Sequence, residues 1–501
     1  MSRRLIFSPL TVIAMVLFLA AGELASGTAL PYVAMMAVAM LAIFATYNML
    51  GGLGTFGGVL FAAFALNTLV ISQFAKVFMF EAADLNLRAP ELTIAVYAVY
   101  FLSLMVGVFL FGWIRLKLPR PLEPTSDAHS RVFYLFSLVM GLAAKIYMVN
   151  LELEHPRSAG SASHAMARAL AFLLPLSLVL AVDARIRKTE GRHCFGWAAF
   201  WPAIAIEFLG FSASSRTEYV LPIFLVAVTG YFRGFKFSRR HYVAAAVLAA
   251  VLFLFVSPWY LFTRAYRRQR SLWQQITVAG QLVSDVPAYW PQVRAQLHSG
   301  VQNAKSRGEE YFSRAGAVTL NRLILIPDDD AVIAACTHYH WGFATIKIDG
   351  QDSIPHFIEK NKPDRDGTWF RASIGGLQSS YAATAYITTS TISDAWGGFG
   401  WAGVIVVPLL LVPWVFVEYD SIFDMSRPWG TVALLGLAMG IADNSVGTLL
   451  IGVLLEIPLY ILLISWFSGW LTRSIPMVGD SSHRRGAPLF QPDGTRTMAG
   501  D

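Results

Sequence analysis

Clustered arginines are the first residues in this chain whose type and spacing point to chemistry. The stretch "TRAYRRQR" brings Arg264, Arg267, Arg268 and Arg270 close together directly after an apolar segment. A guanidinium group matches two phosphate oxygens at once, so such a cluster is a candidate anion site. Arginines next to an apolar segment also bind phospholipid headgroups. The sequence leaves both interpretations of the cluster open.

Arg216 lies in a different setting, between two apolar stretches in "GFSASSRTEYVLPIF". The small residues before it allow close backbone approach, and a short turn gives the side chain little freedom. We therefore favour a functional, anion-binding role for Arg216, with Glu218 either as its partner or as a substrate contact.

Three aspartates and two histidines lie close together in "IPDDDAVIAACTHYHWG". Aspartate runs hold metal-bound nucleotide sugars in some enzymes. Acids after a proline are also typical of a helix start, where they face the positive end of the helix dipole, and we favour that interpretation. His338 and His340 are two residues apart and would point to different faces of a helix, so no metal site is predicted.

The composition restricts the class of protein. The chain has 501 residues, of which 55% are hydrophobic and 14% charged. A soluble domain carries roughly 25% charged residues, and apolar runs long enough to cross a bilayer recur here. Because these runs are continuous rather than alternating, they predict helices and exclude a β-barrel. The net charge of +7 comes mostly from residues that flank the apolar runs, so no nucleic-acid partner is expected.

The fold class predicted is an all-α polytopic membrane protein. It has about twelve spans, and the predicted spans are near 7–24, 29–48, 56–74, 91–114, 132–150, 165–183, 194–211, 217–233, 241–262, 398–418, 429–443 and 446–470.

Charged connections orient these spans. Short basic connections such as "DARIRKTEGRH" and "YFRGFKFSRRHY" alternate with connections poor in cations. The positive-inside rule then places both termini in the cytoplasm. Cys194 and Cys336 fall on opposite sides of the membrane, so a disulfide between them is not expected.

One connection is too long to be a simple linker. We divide the chain into a membrane bundle at 1–263, a large outer loop at 264–396, the last spans at 397–472 and a disordered cytoplasmic tail at 473–501. Apolar residues at helical spacing in the loop predict short amphipathic helices on the outer ends of the spans.

Three stretches resemble motifs of the bacterial oligosaccharide repeat-unit polymerases, the O-antigen polymerases of the Wzy type. They are "SRTEYVLPIFLVAVTGYFRG", "IPHFIEKNKP" and "TISDAWGGFGWAGVIVVPLLL". Their order, and the large loop after the ninth span, are similar to the layout of that family. The second stretch departs from the pattern, because His356 stands where the family has arginine. In the third stretch, Asp394 and Trp396 stand in for a glutamate and a tyrosine.

The resemblance implies a largely helical fold like that of GT-C glycosyltransferases. Its expected activity is the joining of glycan repeats carried on undecaprenyl pyrophosphate, on the periplasmic face of the inner membrane. The expected partners are this lipid-linked donor and acceptor, membrane lipids and, as an open question, a chain-length regulator. No cofactor or metal is expected.

The expected reaction assigns roles to particular residues. An acceptor hydroxyl attacks the anomeric carbon and must lose its proton to a carboxylate or histidine; the candidates are Asp394, His356 and His338. The leaving pyrophosphate gains charge that fixed cations stabilise. The candidate cations are Arg216, Arg264, Arg267, Arg268 and Lys362. The candidate substrate-binding residues are Glu218, Tyr386 and Trp396. Loop aromatics such as Trp341, Trp369 and Phe370 could stack on sugar faces or bury the loop's own core, and we favour the second interpretation.

Other functions stay open at this stage. An O-antigen ligase uses the same donor with a lipid A core acceptor, and sequence separates it poorly from a polymerase. A transporter or flippase of lipid-linked glycan is the rival from another class, although two repeats of six spans would place the large loop after the sixth span. A non-enzymatic scaffold for envelope assembly is a further alternative.

The anion-site interpretation of Arg216 is tested by Arg216→Ala. We expect long glycan chains to disappear while the amount of protein in the membrane stays unchanged, because the leaving pyrophosphate loses a fixed cation. Glycan length on gels and an immunoblot of the protein measure the two quantities. Chains of normal length in this variant would remove Arg216 from the site.

Overall fold

The computed structural model describes residues 6–114, 116–118, 127–154, 170–213, 216–251, 311–312, 324–354, 367–377, 389–425, 427–438 and 445–452, with a few isolated positions elsewhere. All the regular structure in these residues is helical, and none of them lies in a β-strand.

The helices described are, in chain order, α1 (Pro9–Ala25), α2 (Leu30–Leu50), α3 (Phe56–Met79), α4 (Pro90–Phe111), α5 (Asp127–Glu154), α6 (Leu173–Lys188), α7 (Trp197–Ala213), α8 (Arg216–Phe232), α9 (Arg239–Val251), α10 (Ile326–Ala335), α11 (Ala344–Ser353), α12 (Gly367–Ile374), α13 (Thr391–Ile422), α14 (Pro428–Ala438) and α15 (Val446–Ile451).

The prediction of an all-α membrane protein agrees with this architecture. Each predicted span contains helical residues over at least part of its length. Among the described residues, five helices are long and apolar enough to cross a membrane, namely α2, α3, α4, α5 and α13. Three shorter helices, α1, α7 and α8, are also apolar.

Two apolar cores hold the helices together. One core contains residues of the four helices α1, α2, α3 and α4 together with α10 and α13, and within it α4 packs against both α2 and α13. The second core contains residues of the four helices α5, α6, α7 and α8. Helix α14 contacts α3, α6 and α8, so it connects the two groups.

An ion pair joins α6 to the end of α8. The side chain of Asp183 is only 2% exposed, and it lies 2.8 Å from Arg187 and 2.7 Å from Arg233. These three residues come from the two basic connections that the sequence places on the cytoplasmic side. Their contact is therefore consistent with that assignment.

Helix starts in this fold receive carboxylates from distant segments. Asp84 accepts a hydrogen bond from Ala29 N at the start of α2, at 2.9 Å. Asp420, at the end of α13, accepts from Gly57 N in the first turn of α3, at 2.7 Å. The first backbone N–H groups of a helix have no partner within it and carry a partial positive charge, so a carboxylate satisfies both needs.

Helix α10 is one of the short helices predicted for the loop, but it lacks the exposed polar face of an amphipathic helix. It is buried, with Ile326, Val332 and Ile333 fully covered, and it packs against α4 and α13. Just before it, Leu325 N donates to the carbonyl of Asn67 at 3.0 Å. Asn67 lies in a π-helical turn of α3, Leu66–Val70. Such a turn interrupts the regular helical ladder, and here one of its carbonyls binds the loop.

The burial of α10 predicts how the two cysteines react. Cys336 follows α10 and is fully buried, whereas Cys194 is partly exposed. Burial raises the pKa of the Cys336 thiol to about 11. At pH 8 only about one such thiol in a thousand is the reactive thiolate. We expect a maleimide to add once to the folded protein in detergent, on Cys194, and twice after unfolding.

Mass spectrometry counts the maleimide groups, and Cys194→Ser and Cys336→Ser identify the modified positions. Rapid labelling of Cys336 in the folded protein would mean that α10 lies at the surface.

Candidate active site

Three buried aspartates, Asp329, Asp330 and Asp394, each accept hydrogen bonds at the start of a helix. All three are buried, with exposed fractions of 1% or less. Two of them start α10 and the third lies in the first turn of α13.

Asp329 accepts four hydrogen bonds. Its Oδ1 accepts from Ser390 N at 2.7 Å and from Ser393 Oγ at 2.6 Å, and its Oδ2 from Ser390 Oγ and Tyr97 Oη, both at 2.5 Å. Burial raises the pKa of the Asp329 carboxyl above the usual value of an aspartic acid, and the hydrogen bonds from Ser390, Ser393 and Tyr97 act in the opposite direction. Asp329 therefore fixes the start of α13 and has little capacity left for a ligand.

Asp330 performs the same task for α4. Its Oδ1 accepts from Ala89 N at 3.0 Å and from Thr93 Oγ1 at 2.7 Å, and its Oδ2 accepts from Arg88 N. The capping residue of α4, Ala89, has no side chain that could accept these bonds. The aspartate run thus begins a helix, as predicted, but Asp329 and Asp330 satisfy the starts of other helices.

Asp394 differs from the other two aspartates because only one of its oxygens accepts a hydrogen bond from the described part of the chain. Its Oδ2 accepts from Val446 N, the first residue of α15, at 2.7 Å. Its Oδ1 accepts no hydrogen bond from any described residue. The guanidinium of Arg371, on α12, and the hydroxyl of Thr345, on α11, lie near enough to interact with the carboxylate.

The start of α15 is also held by α11. Ser445 Oγ caps α15 by accepting from Thr448 N at 2.8 Å, and it donates to Asp349 on α11. Gly447 lies against α11 so closely that a Cβ would stand 2.9 Å from the Cα of Ile346. Asp394 and Asp349 therefore approach the same helix start from two directions.

A break in α13 forms the other side of the site. Gly400 has φ +58° and ψ −139°, a backbone conformation that residues with a side chain avoid. The break leaves the carbonyls of Gly397 and Gly398 without helical partners, and they accept from Trp341 N at 2.9 Å and Gly342 N at 3.0 Å. The segment after α10 thereby caps the first part of α13.

Asp394 is the predicted base that the structure describes in most detail. The sequence placed it just before a span, but α13 begins earlier, at Thr391, so Asp394 is inside the helix and buried. His338 is exposed and lies in the non-helical segment that follows α10. Trp396 is buried, and its Nε1 donates to the carbonyl of Ile333 at 3.1 Å.

The remaining predicted site residues are described in part or not at all. Arg216 and Glu218 are in the first turn of α8, but their side chains are outside the described part of the chain. The predicted residues that lie outside the described residues altogether are Arg264, Arg267, Arg268, His356, Lys362 and Tyr386.

The sequence interpretation missed several residues of this site. Arg371 had no predicted role, Trp341 was considered only as one of several loop aromatics that could stack on a sugar or bury the loop's own core, and Asp329 and Asp330 were interpreted as a local helix start. The sequence signal that could have identified these residues is the presence of charged residues inside otherwise apolar loop segments. This signal is weak, because charged residues in loops usually face water. Within the described residues, no group of three His, Cys, Asp or Glu side chains could hold a metal ion.

The chain was compared with protein-family models, with curated proteins and with solved structures, and nothing matched it. Its function must therefore be inferred from its residues and their geometry.

The contact between Trp341 and α13 predicts a glycine requirement. A Cβ at Gly397 would stand 2.0 Å from the ring of Trp341. Gly397→Ala should therefore lower the stability by about 1–3 kcal/mol, the usual cost of overpacking. Gly350→Ala is the matched control, because it lies in α11 with nothing within 4 Å of a Cβ, and alanine favours a helix by about 0.5–1 kcal/mol.

Thermal unfolding in detergent measures both variants. Equal unfolding temperatures for Gly397→Ala and Gly350→Ala would show that Trp341 does not pack on α13.

Proposed function

We propose that the chain is a glycosyltransferase that polymerises undecaprenyl-pyrophosphate-linked oligosaccharide repeats of an O-antigen, capsule or exopolysaccharide. It would act at the periplasmic face of the bacterial inner membrane, with twelve spans, both termini in the cytoplasm and an architecture like that of GT-C glycosyltransferases.

The observation that carries this proposal is the unused oxygen of Asp394. A general base needs a free lone pair that can reach the proton it removes. Asp394 Oδ1 has no partner among the described residues, while Oδ2 is fixed at 2.7 Å from Val446 N. Among the described residues, one oxygen thus positions the carboxylate, and the other keeps a lone pair that can accept a proton.

The location of Asp394 supports an outer site. Its neighbours are α10, α11, α12 and the start of α15, which the sequence places in the large outer loop or at an outer span end. Activated nucleotide sugars are cytoplasmic, so a glycosyl donor outside must carry its own leaving group. A lipid pyrophosphate provides one.

The proposed reaction is a single displacement, in which the acceptor hydroxyl replaces the pyrophosphate on the anomeric carbon. Asp394 Oδ1 takes the proton of the acceptor hydroxyl, and the hydroxyl oxygen forms a bond to the anomeric carbon of the donor. The bond from that carbon to the pyrophosphate oxygen breaks, and undecaprenyl pyrophosphate leaves with the electron pair.

Cations are required where that charge develops. Arg216, Arg264, Arg267, Arg268 and Lys362 are the proposed pyrophosphate contacts. Arg371 adds a buried cation near the base, since only 1% of the residue is exposed. Its charge favours the ionised form of the neighbouring carboxylate, which is the form that accepts a proton.

Asp394→Asn tests the proposed base. An amide keeps the shape and still accepts a hydrogen bond at the start of α15, but it cannot take up the proton. We expect polymer formation to fall by a factor of at least about 100. Asp84→Asn is the matched control, because Asp84 also accepts from a helix start, at 2.9 Å from Ala29 N, and it should retain activity.

Polymer length is measured with purified protein in vesicles that contain lipid-linked repeats extracted from the host strain. Equal activity of Asp394→Asn and Asp84→Asn would assign the base to another residue.

The glycans of a strain that lacks the protein separate the remaining alternatives. Loss of a polymerase leaves lipid A core capped with a single repeat. Full-length chains stranded on undecaprenyl pyrophosphate would indicate a ligase instead, and single repeats retained on the cytoplasmic side would indicate a flippase.

A further inference from the structure

The indole N–H of Trp341 is a buried donor for which the described residues provide no acceptor. Trp341 is 7% exposed, and its Nε1 makes no hydrogen bond to any residue that the structure describes. An unpaired buried donor is unfavourable for stability. Buried tryptophans usually find a partner for this group, so its isolation requires an explanation.

The rest of the residue is held firmly. Its backbone N–H donates to Gly397, its ring lies against the same glycine, and its ring centroid is 5.7 Å from that of Phe370 in an edge-to-face arrangement. The position of the N–H group is therefore set by contacts that do not involve it. Protein packing fixes the donor in place without using it.

The indole N–H of Trp341 lies beside the face of α13 that carries Asp394. A Cβ at Gly398 would stand 3.6 Å from Trp341 Nε1, and Gly398 is four residues after Asp394. Residues four apart in a helix are neighbours on one face, about 6 Å apart. The unused indole N–H and the unused carboxylate oxygen of Asp394 therefore lie along one side of α13.

Other polar groups border the same side. Phe370 brings the neighbouring Arg371 to this part of the molecule, where its charge acts on Asp394. Tyr100 Oη, on α4, also has no partner among the described residues, and it lies near enough to Asp394 to feel its charge. A ligand that satisfies the Trp341 N–H, the Tyr100 hydroxyl and the Asp394 oxygen needs both acceptors and donors on a small rigid frame. The hydroxyl groups of a pyranose ring have this property.

We infer that Trp341 binds the acceptor sugar, with its indole N–H donating to the hydroxyl adjacent to the one that Asp394 deprotonates. This assignment rests on the proposed function, and it adds a substrate-binding residue that determines which hydroxyl is presented to the base. The cost of the unpaired donor in the free protein is then recovered when the sugar binds.

Trp341→Phe tests the inference, because it removes the N–H group and keeps an aromatic ring on Gly397. We expect KM for the lipid-linked repeat to rise about tenfold, the effect of losing one good hydrogen bond, with a smaller change in kcat. Loss of the larger ring lowers the unfolding temperature, but by no more than in Trp414→Phe, which also loses a hydrogen bond. Trp414→Phe is the control, because the Nε1 of Trp414 already donates to Glu418 at 3.1 Å, and its KM should be unchanged.

Two results would overturn the assignment. An unchanged KM in Trp341→Phe would mean that the N–H group does not contact the sugar. A larger drop in unfolding temperature than in Trp414→Phe would mean that the N–H group has a partner within the protein.

Saccharide binding by saturation-transfer NMR separates this inference from the proposed function. The probe is the oligosaccharide released from the extracted repeats by mild acid, added to the intact protein in detergent. If the wild-type chain forms no polymer, the polymerase proposal fails, and weaker saturation transfer in Trp341→Phe than in Trp414→Phe still supports a sugar contact. Equal transfer in both variants overturns it.

Discussion

The structure depends on buried carboxylates that accept hydrogen bonds from the starts of distant helices. Asp329 and Asp330 do this for α13 and α4, and Asp394 does it for α15. In an apolar environment an unsatisfied backbone N–H costs several kcal/mol, and the positive end of a helix favours a negative charge. Each aspartate therefore stabilises the helix that receives it and fixes that helix relative to the segment that supplies it.

This arrangement explains how a loop segment becomes part of the helical bundle. A second set of contacts binds the loop elsewhere: Lys76 Nζ donates to the carbonyl of Tyr311 at 2.6 Å and lies 4.2 Å from the centre of its ring. Tyr311 Oη in turn donates to the carbonyl of Ala83 at 2.8 Å. A buried polar group without a partner would lower the stability of the fold. Lys76 and Tyr311 each have a defined partner, so they link the loop specifically to the spans.

Much of the fold was predictable from composition and periodicity. The apolar runs indicated helices, and helical residues occur in every predicted span. The site was predictable only in part, since Asp394 was identified by its position before a span, whereas Trp341 was only one of several loop aromatics and Arg371 had no predicted role. The sequence interpretation also treated Asp329 and Asp330 as a local cap, because hydrophobic patterns contain no information on which distant helix start a carboxylate will meet.

The sequence alone thus determined the all-α membrane class and the apolar segments in which helices occur, because transfer of apolar side chains from water depends on composition and local spacing. Tertiary structure decided which polar groups are paired. It left one oxygen of Asp394 and the indole N–H of Trp341 without described partners, although neighbouring carboxylates and indoles of the same chemical type are satisfied. Hydrogen bonds require matched distance and direction between residues far apart in the chain, and only the packed helices set those distances.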